Sequence, residues 1–308
     1  MAVSSKHVLQ QGPVLATLAG VAASAIRQRM GWARSAGAPE LPGPEFTTIV
    51  EPRPAELLRA YVKHVGGDPA AYRGQVPPHF FPQWGFPLAS RTLQGLPYPL
   101  FKVLNGGCRL EINAPLPADE SLHARARLED IDDDGRRAVI HQRVVTGTSA
   151  HPEAVVGHLY AIVPLGGGKD DKGEKKAAAK RAPARVPQDA EELQRWRLPA
   201  DAGLDFAKLT GDFNPVHWVP PYARAFGFRN TILHGFSTMA RAMEGLQRTL
   251  FAGSVRAIRV LDVKFTKPLV LPAKVGLYVK GESLWVGDAP GGPAYLVGTY
   301  QTNPLPRD

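Results

Sequence analysis

The sequence predicts an α+β fold laid down twice, each copy holding one buried helix beside consecutive, mostly antiparallel strands. Three observations lead there. Short motifs recur in order. Tyr61-Val62-Lys63-His64 precedes a Gly/Asp turn as Phe206-Ala207-Lys208-Leu209 does, Trp84-Gly85-Phe86 parallels His234-Gly235-Phe236, and Pro115–Ala118 parallels the Pro268-Leu269 and Pro272-Ala273 pairs. Between Gly235 and Leu250, Phe236, Met239, Ala240, Met243, Leu246 and Leu250 recur at helical spacing, a stripe wide enough for a largely buried helix. Val275, Leu277 and Val279 alternate with Gly276, Tyr278 and Lys280, the period of a strand.

Taken in order, residues 1–45 read as an N-terminal extension closed by Gly37, Pro39, Pro42, Gly43 and Pro44. Within it Val14–Ala25 reads as a short helix rather than a secretory leader, because Thr17, Gly20 and Ser24 dilute it and little charge precedes it. Residues 46–165 form the first folded block, with strands expected at Arg109–Ala114, Leu122–Leu128, Ala138–Val145 and Ala154–Val163. Residues 166–190 open on three glycines, are rich in lysine and lack apolar periodicity, so they read as a basic linker. Residues 191–308 form the second block. After its helix, strands are expected at Ala257–Phe265, Lys274–Lys280 and Ala294–Gln301.

Composition narrows the class. The 308 residues are 44% hydrophobic and 21% charged, the balance of a globular chain. The single cysteine, Cys108, excludes an internal disulfide and a cysteine-rich zinc site, and points to a reducing cytoplasm. No apolar run is long enough for a membrane-spanning helix. The net charge of +9 favours anionic partners. Lys169–Arg185, with seven basic and three acidic residues, carries +4 of it, and no aromatic residues interleave those charges, which argues against nucleic acid.

The chemistry concentrates in Leu209-Thr210-Gly211-Asp212-Phe213-Asn214-Pro215-Val216-His217. Gly211 and Pro215 break regular structure, so Asp212, Asn214 and His217 share a loop. A carboxylate and an imidazole five residues apart on a turn can converge on one water, the equipment of general acid–base catalysis. The same residues also suit a capping Asp, a turn Asn and a satisfied His. Ile232-Leu233-His234-Gly235 then opens the buried helix, where the Gly235 N–H can polarise a carbonyl oxygen.

These stretches, with Gly227-Phe228 between them, resemble the signature of the MaoC-like acyl dehydratases, the R-specific (type-2) enoyl-CoA hydratases. The resemblance covers about residues 195–302 well and 46–165 only weakly. It implies a tandem hotdog fold, an antiparallel sheet wrapped around a central helix in each half, with a degenerate first half. It implies reversible addition of water to trans-2-enoyl thioesters of coenzyme A or acyl carrier protein, giving R-3-hydroxyacyl thioesters. Asp212 and His217 would activate the water, Asn214 would support them, and Gly235 would bind the thioester oxygen. No cofactor and no metal is implied.

The first half departs from the signature: Gly67 or Asp68 stands for Asp212, Tyr72 stands for His217, and no Asn-Pro-x-His occurs. It is therefore expected to shape the acyl-binding space, with Val76–Pro82 as a wall of that space or as a rigid buried loop. Arg224, Arg229, Lys264 and Lys267 are candidates for a rim that meets the phosphates of the thioester carrier. Two other readings stay open, a hotdog thioesterase and a catalytically silent acyl-binding subunit. A pair of hotdogs in one chain also leaves a homodimer of chains possible.

Overall fold

The computed structural model describes residues 3–12, 14, 16, 20, 39–100, 103–165 and 183–303. Most of the expected Val14–Ala25 helix and most of the basic linker lie outside the described residues. Ten of the twelve described strands form one sheet in the order β1-β5-β6-β7-β3-β9-β12-β11-β10-β8. They are β1 Phe46–Val50, β3 Leu104–Ile112, β5 Leu122–Asp133, β6 Arg137–Gly147, β7 Val155–Pro164, β8 Glu191–Leu198, β9 Ile258–Phe265, β10 Ala273–Lys280, β11 Ser283–Gly287 and β12 Ala294–Thr302; β2 Gln75–Val76 and β4 Leu116–Pro117 pair separately. All these pairings are antiparallel.

The halves meet at β3 and β9, where Gly107 faces Lys264 and Glu111 faces Val260. This seam makes the two copies one continuous sheet. Cys108 lies in it opposite Val263, fully buried, and desolvation raises its thiol pKa, so it is not poised as a nucleophile.

Five α-helices accompany the strands among the described residues: α1 Ala55–His64, α2 Pro82–Thr92, α3 Ala202–Thr210, α4 Pro220–Ala225 and α5 Gly235–Leu250. Helix α2 packs on β1, β5 and β6, and α5 on β8, β9 and β12. The stripe on α5 is buried from Phe236 to Gln247, except Arg241. Phe236 meets Phe86 edge-on at 4.9 Å and Phe81 at 6.0 Å, so the two central helices share an aromatic core. Each buried aromatic there contributes about 1.5–3 kcal/mol. Among the described residues no helix is long and apolar enough to cross a membrane.

The expected strands are present with ends shifted by a few residues, and β1, β2, β4, β8 and β11 are additional. Val76–Pro82 is buried throughout. The N-terminal extension is less detached than its composition suggests. Gln11 is fully buried, donates to the Leu209 carbonyl at 2.9 Å and accepts from Gln83 at 2.9 Å, while Lys208 donates to the Val3 carbonyl at 3.0 Å.

Candidate active site

Helix α3 ends because Gly211 turns left-handed, at φ +82°, a conformation that suits glycine best. The chain then enters the Asp212–His217 loop, which its own side chains lace together. Asp212 Oδ1 accepts from the Asn214 N–H at 3.3 Å, and Asn214 Oδ1 accepts from the Val216 N–H at 3.3 Å, capping a 3-10 turn over Pro215–His217. Asn214 is exposed and its carbonyl oxygen is committed to this cap, so it holds the loop in shape.

Backbone pairing brings the second piece alongside. The Ile232 N–H donates to the Val216 carbonyl at 3.2 Å, and the Leu233 N–H to the Leu269 carbonyl at 2.8 Å. His217 Nδ1–H donates to the Ile232 carbonyl at 2.8 Å, which leaves Nε2 as a lone-pair acceptor. His234 Nε2–H donates to the Asp212 carbonyl at 2.9 Å, and the same nitrogen lies 3.8 Å from Asp212 Oδ2. The two imidazoles stack with centroids 3.6 Å apart.

Burial lowers the pKa of His217, against the opposing pull of the Asp212 carboxylate. Burial and the neighbouring His217 push His234 down to about 3. Both rings are therefore neutral at pH 7, and His217 Nε2 is available as a base. Asp212, His217 and His234 each place one ligand atom within 4.8 Å of the others, the only such trio among the described residues. They are the residues that could hold a metal.

Gly235 opens α5. Among the described residues no acceptor takes its N–H, and the ring of Phe265 packs so closely that a Cβ would lie 2.9 Å from three of its atoms. The helix start thus presents an N–H and the positive end of a dipole beside the Asp212/His217 pair.

The four basic residues are exposed, and none has an ion pair among the described residues. Arg229 and Lys267 come together at Tyr295: Lys267 Nζ lies 5.9 Å from the ring centroid, and Arg229 tempers the rise in that phenol's pKa. Lys264 projects from the face of β9 opposite to Val263 and Phe265, away from Gly235, and Arg224 stands apart on α4.

The first half carries a loop of similar build. Asp68 accepts from the Ala70 N–H at 2.9 Å and caps a 3-10 turn at Pro69–Tyr72, just as Asn214 caps Pro215–His217. Gly66 turns left-handed at φ +90° after α1, as Gly211 does after α3, so the next residue, Gly67, matches Asp212. Counted from the cap, Ala71, rather than Tyr72, matches His217. The loop is one residue shorter between its glycine and its cap, which moves the register by one. A Cβ on Gly67 would lie 2.4 Å from the carboxyl carbon of Glu244, which reaches across from α5. Glu244 Oε1 accepts from His79 Nε2 at 3.0 Å, and His79 Nδ1 is 3.0 Å from the Tyr61 hydroxyl. Tyr72 donates to Gln247 Oε1 at 3.1 Å. A carboxylate from the second half thus fills the slot that Asp212 occupies in its own half. Neither His79 nor Glu244 stands out in the sequence, because 165 residues separate them.

Residues 178–286 match the family model of the MaoC like domain. Among curated proteins, the chain is 28% identical to peroxisomal multifunctional enzyme type 2 of Mus musculus, over 64% of this chain and 28% of that one. It is 31% identical to an enoyl-CoA hydratase of Mycobacterium tuberculosis, over 62% of each chain. It is 27% identical to 3-hydroxyacyl-thioester dehydratase X of the same organism, over 79% of this chain and 83% of that one. The matches thus span less than two thirds of the first two relatives' own length.

Among solved structures, a MaoC-like dehydratase of Phytophthora capsici superposes with a TM-score of 0.66 at 18% identity, covering 86% of this chain and 97% of the other. A Mycobacterium tuberculosis protein described as a double hotdog fold superposes with 0.52 at 14% identity, covering 86% and 97%. The fold is therefore a double hotdog. In its second half, where residues 178–286 match the MaoC like domain, the glycine-capped loop, the stacked imidazoles and the helix start are assembled together.

Proposed function

We propose that this chain adds water reversibly to trans-2-enoyl thioesters of coenzyme A or acyl carrier protein, giving R-3-hydroxyacyl thioesters. The observation that carries this reading is the neutral His217, its Nδ1–H fixed on the Ile232 carbonyl so that Nε2 keeps its lone pair, with a ring nitrogen within 4.8 Å of an Asp212 carboxylate oxygen. A water between them loses a proton as its oxygen bonds to C3, and the pair returns a proton to C2, so it ends as it began. The Gly235 N–H, at the positive end of α5, would steady the negative charge on the thioester oxygen meanwhile. The names of the relatives support the reaction class.

In this reading residues 191–308 carry the chemistry and 46–165 shape the acyl space. Residues 1–45 and 166–190 flank or join them. Arg229 and Lys267 are the pair best placed to meet a phosphate. The protein acts in the cytoplasm, without nucleic acid as a partner, and as one chain or as a homodimer.

The test uses crotonyl-CoA, following enoyl absorbance together with free thiol. Asp212→Asn and His217→Ala should each lower turnover by roughly 10²- to 10⁴-fold without loss of fold, and the double variant should be little worse than the worse single one. Full activity in well-folded Asp212→Asn would overturn the mechanism. Release of free thiol would point to a thioesterase instead.

A further inference from the structure

Helix α5 carries buried donors that nothing in the proposed reaction uses, among them two near its start. Ser237 Oγ is fully enclosed with no hydrogen-bond partner, and so is Arg241 Nε. Four residues apart, they stand one above the other on a single helix face. His234, three residues before Ser237 and seven before Arg241, starts the same face, and Arg241 lies about 9 Å along the axis from Gly235 by helical rise.

Among the described residues the guanidinium hydrogen-bonds His64 alone, whose Nε2 is 3.3 Å from Nη2, and no carboxylate pairs with it. Glu244, one turn further along, is taken by His79. His64 in turn is in the group around the site, since Phe206 contacts both its ring, at 6.2 Å, and that of His234, at 4.8 Å. Burial holds His64 down to about 3, so it is neutral and supplies no counter-charge. Desolvation lowers the Arg241 pKa only to about 10, which keeps it a cation at pH 7. Arg241 as a residue is half-buried but its Nε is enclosed, and a cation withdrawn from water without an anion is costly, so such groups are normally paired.

We propose that Ser237 and Arg241 form a subsite for a carboxylate carried by the acyl chain, so that the preferred substrate is a short enoyl thioester ending in a carboxylate. This rests on the hydratase reading. With the thioester oxygen on the Gly235 N–H, the chain would run along α5. The distal carboxylate would then accept from Arg241 and from the Ser237 hydroxyl, supplying the anion that the guanidinium lacks.

The experiment compares trans-hex-2-enedioyl-CoA with trans-hex-2-enoyl-CoA on the full chain. The wild type should show at least a tenfold higher kcat/KM for the dicarboxylate, the scale of one charge-assisted contact. In Arg241→Gln the ratio should fall to near one, and in Ser237→Ala it should fall partway. Titration of saturated adipyl-CoA against hexanoyl-CoA reads the same preference as binding, without turnover. If hex-2-enoyl-CoA is hydrated as well as or better than the dicarboxylate, and adipyl-CoA binds no tighter than hexanoyl-CoA, the donors are met by water alone and the subsite is refuted. If neither enoyl thioester is hydrated while adipyl-CoA still binds more tightly, and does so only with Arg241 present, the subsite stands and the hydratase reading falls.

Discussion

The carboxylate of Glu244 above Gly67 can be tested by moving it from one residue to the other. Glu244→Ala removes a carboxylate that is 3% exposed and 3.0 Å from His79 Nε2. Breaking one side of a buried pair costs about 3–5 kcal/mol. His79 keeps its contact with Tyr61, so the loss should be near 3 kcal/mol on that scale. Gly67→Asp alone should be worse. Its Cβ would come within 2.4–2.6 Å of the Glu244 carboxyl atoms, so Glu244 must be displaced. Two carboxylates about 4 Å apart at an effective dielectric constant near 20 repel by about 4 kcal/mol. In the double variant the carboxyl introduced by Gly67→Asp enters the space that Glu244 vacates, within reach of His79. The pair of changes should then be at least about 2 kcal/mol less damaging than the sum of the singles, well beyond the ~0.5 kcal/mol expected of independent sites. Urea unfolding followed by tryptophan fluorescence measures this, with buried Trp84 as a reporter on α2. Additive losses would show that the two side chains do not share one slot.

Three further outcomes are expected. Tyr72→Phe removes a buried hydroxyl that bonds Gln247, so it should cost about 1 kcal/mol of stability yet leave turnover of crotonyl-CoA nearly unchanged; a loss as large as that of Asp212→Asn would place the first half in the chemistry. His64 and His234 are both held down to about 3, below the ordinary histidine value of 6.5, so the unfolded chain binds protons the folded chain refuses. Their contribution is present above pH 6.5 and is lost as pH falls toward 3, so urea midpoints should decline steadily from pH 7 to pH 5; a flat profile would contradict the burial of these rings. Gln11→Ala breaks the link between Leu209 and Gln83, and turnover and thermal stability should fall together, with no change if the N-terminal segment is only an appendage.

The second half is readable in the sequence because its signals are local. Gly211, Pro215 and Gly235 fix turns within a few residues of the groups they position, and the α5 stripe gives both ends of its helix. The five missed strands have weaker patterns, and two of them, β2 and β4, are only two residues each. β8 is a sheet edge and carries charges at four of eight positions, so alternation is hidden, and β1 and β11 are five residues each. What could not be read is long-range. The turn register that sets Ala71 in the place of His217 depends on a one-residue deletion that only the cap geometry reveals. His79–Glu244, His64–Arg241 and Gln11–Leu209 join residues far apart in the chain, and no local pattern announces them.

The occupied slot over Gly67 also bears on the history of the fold. A duplicated chain begins with two equal sites, and losing one requires only a single change, such as aspartate to glycine. With Glu244 in the gap and bonded to His79, the return step is blocked, because an aspartate at position 67 would collide with it. Glu244 would have to be lost first, and that loss is itself damaging. The asymmetry between the halves is therefore held by a ratchet: each half can drift in many directions, but stepwise reversion to two working sites must cross a less stable intermediate.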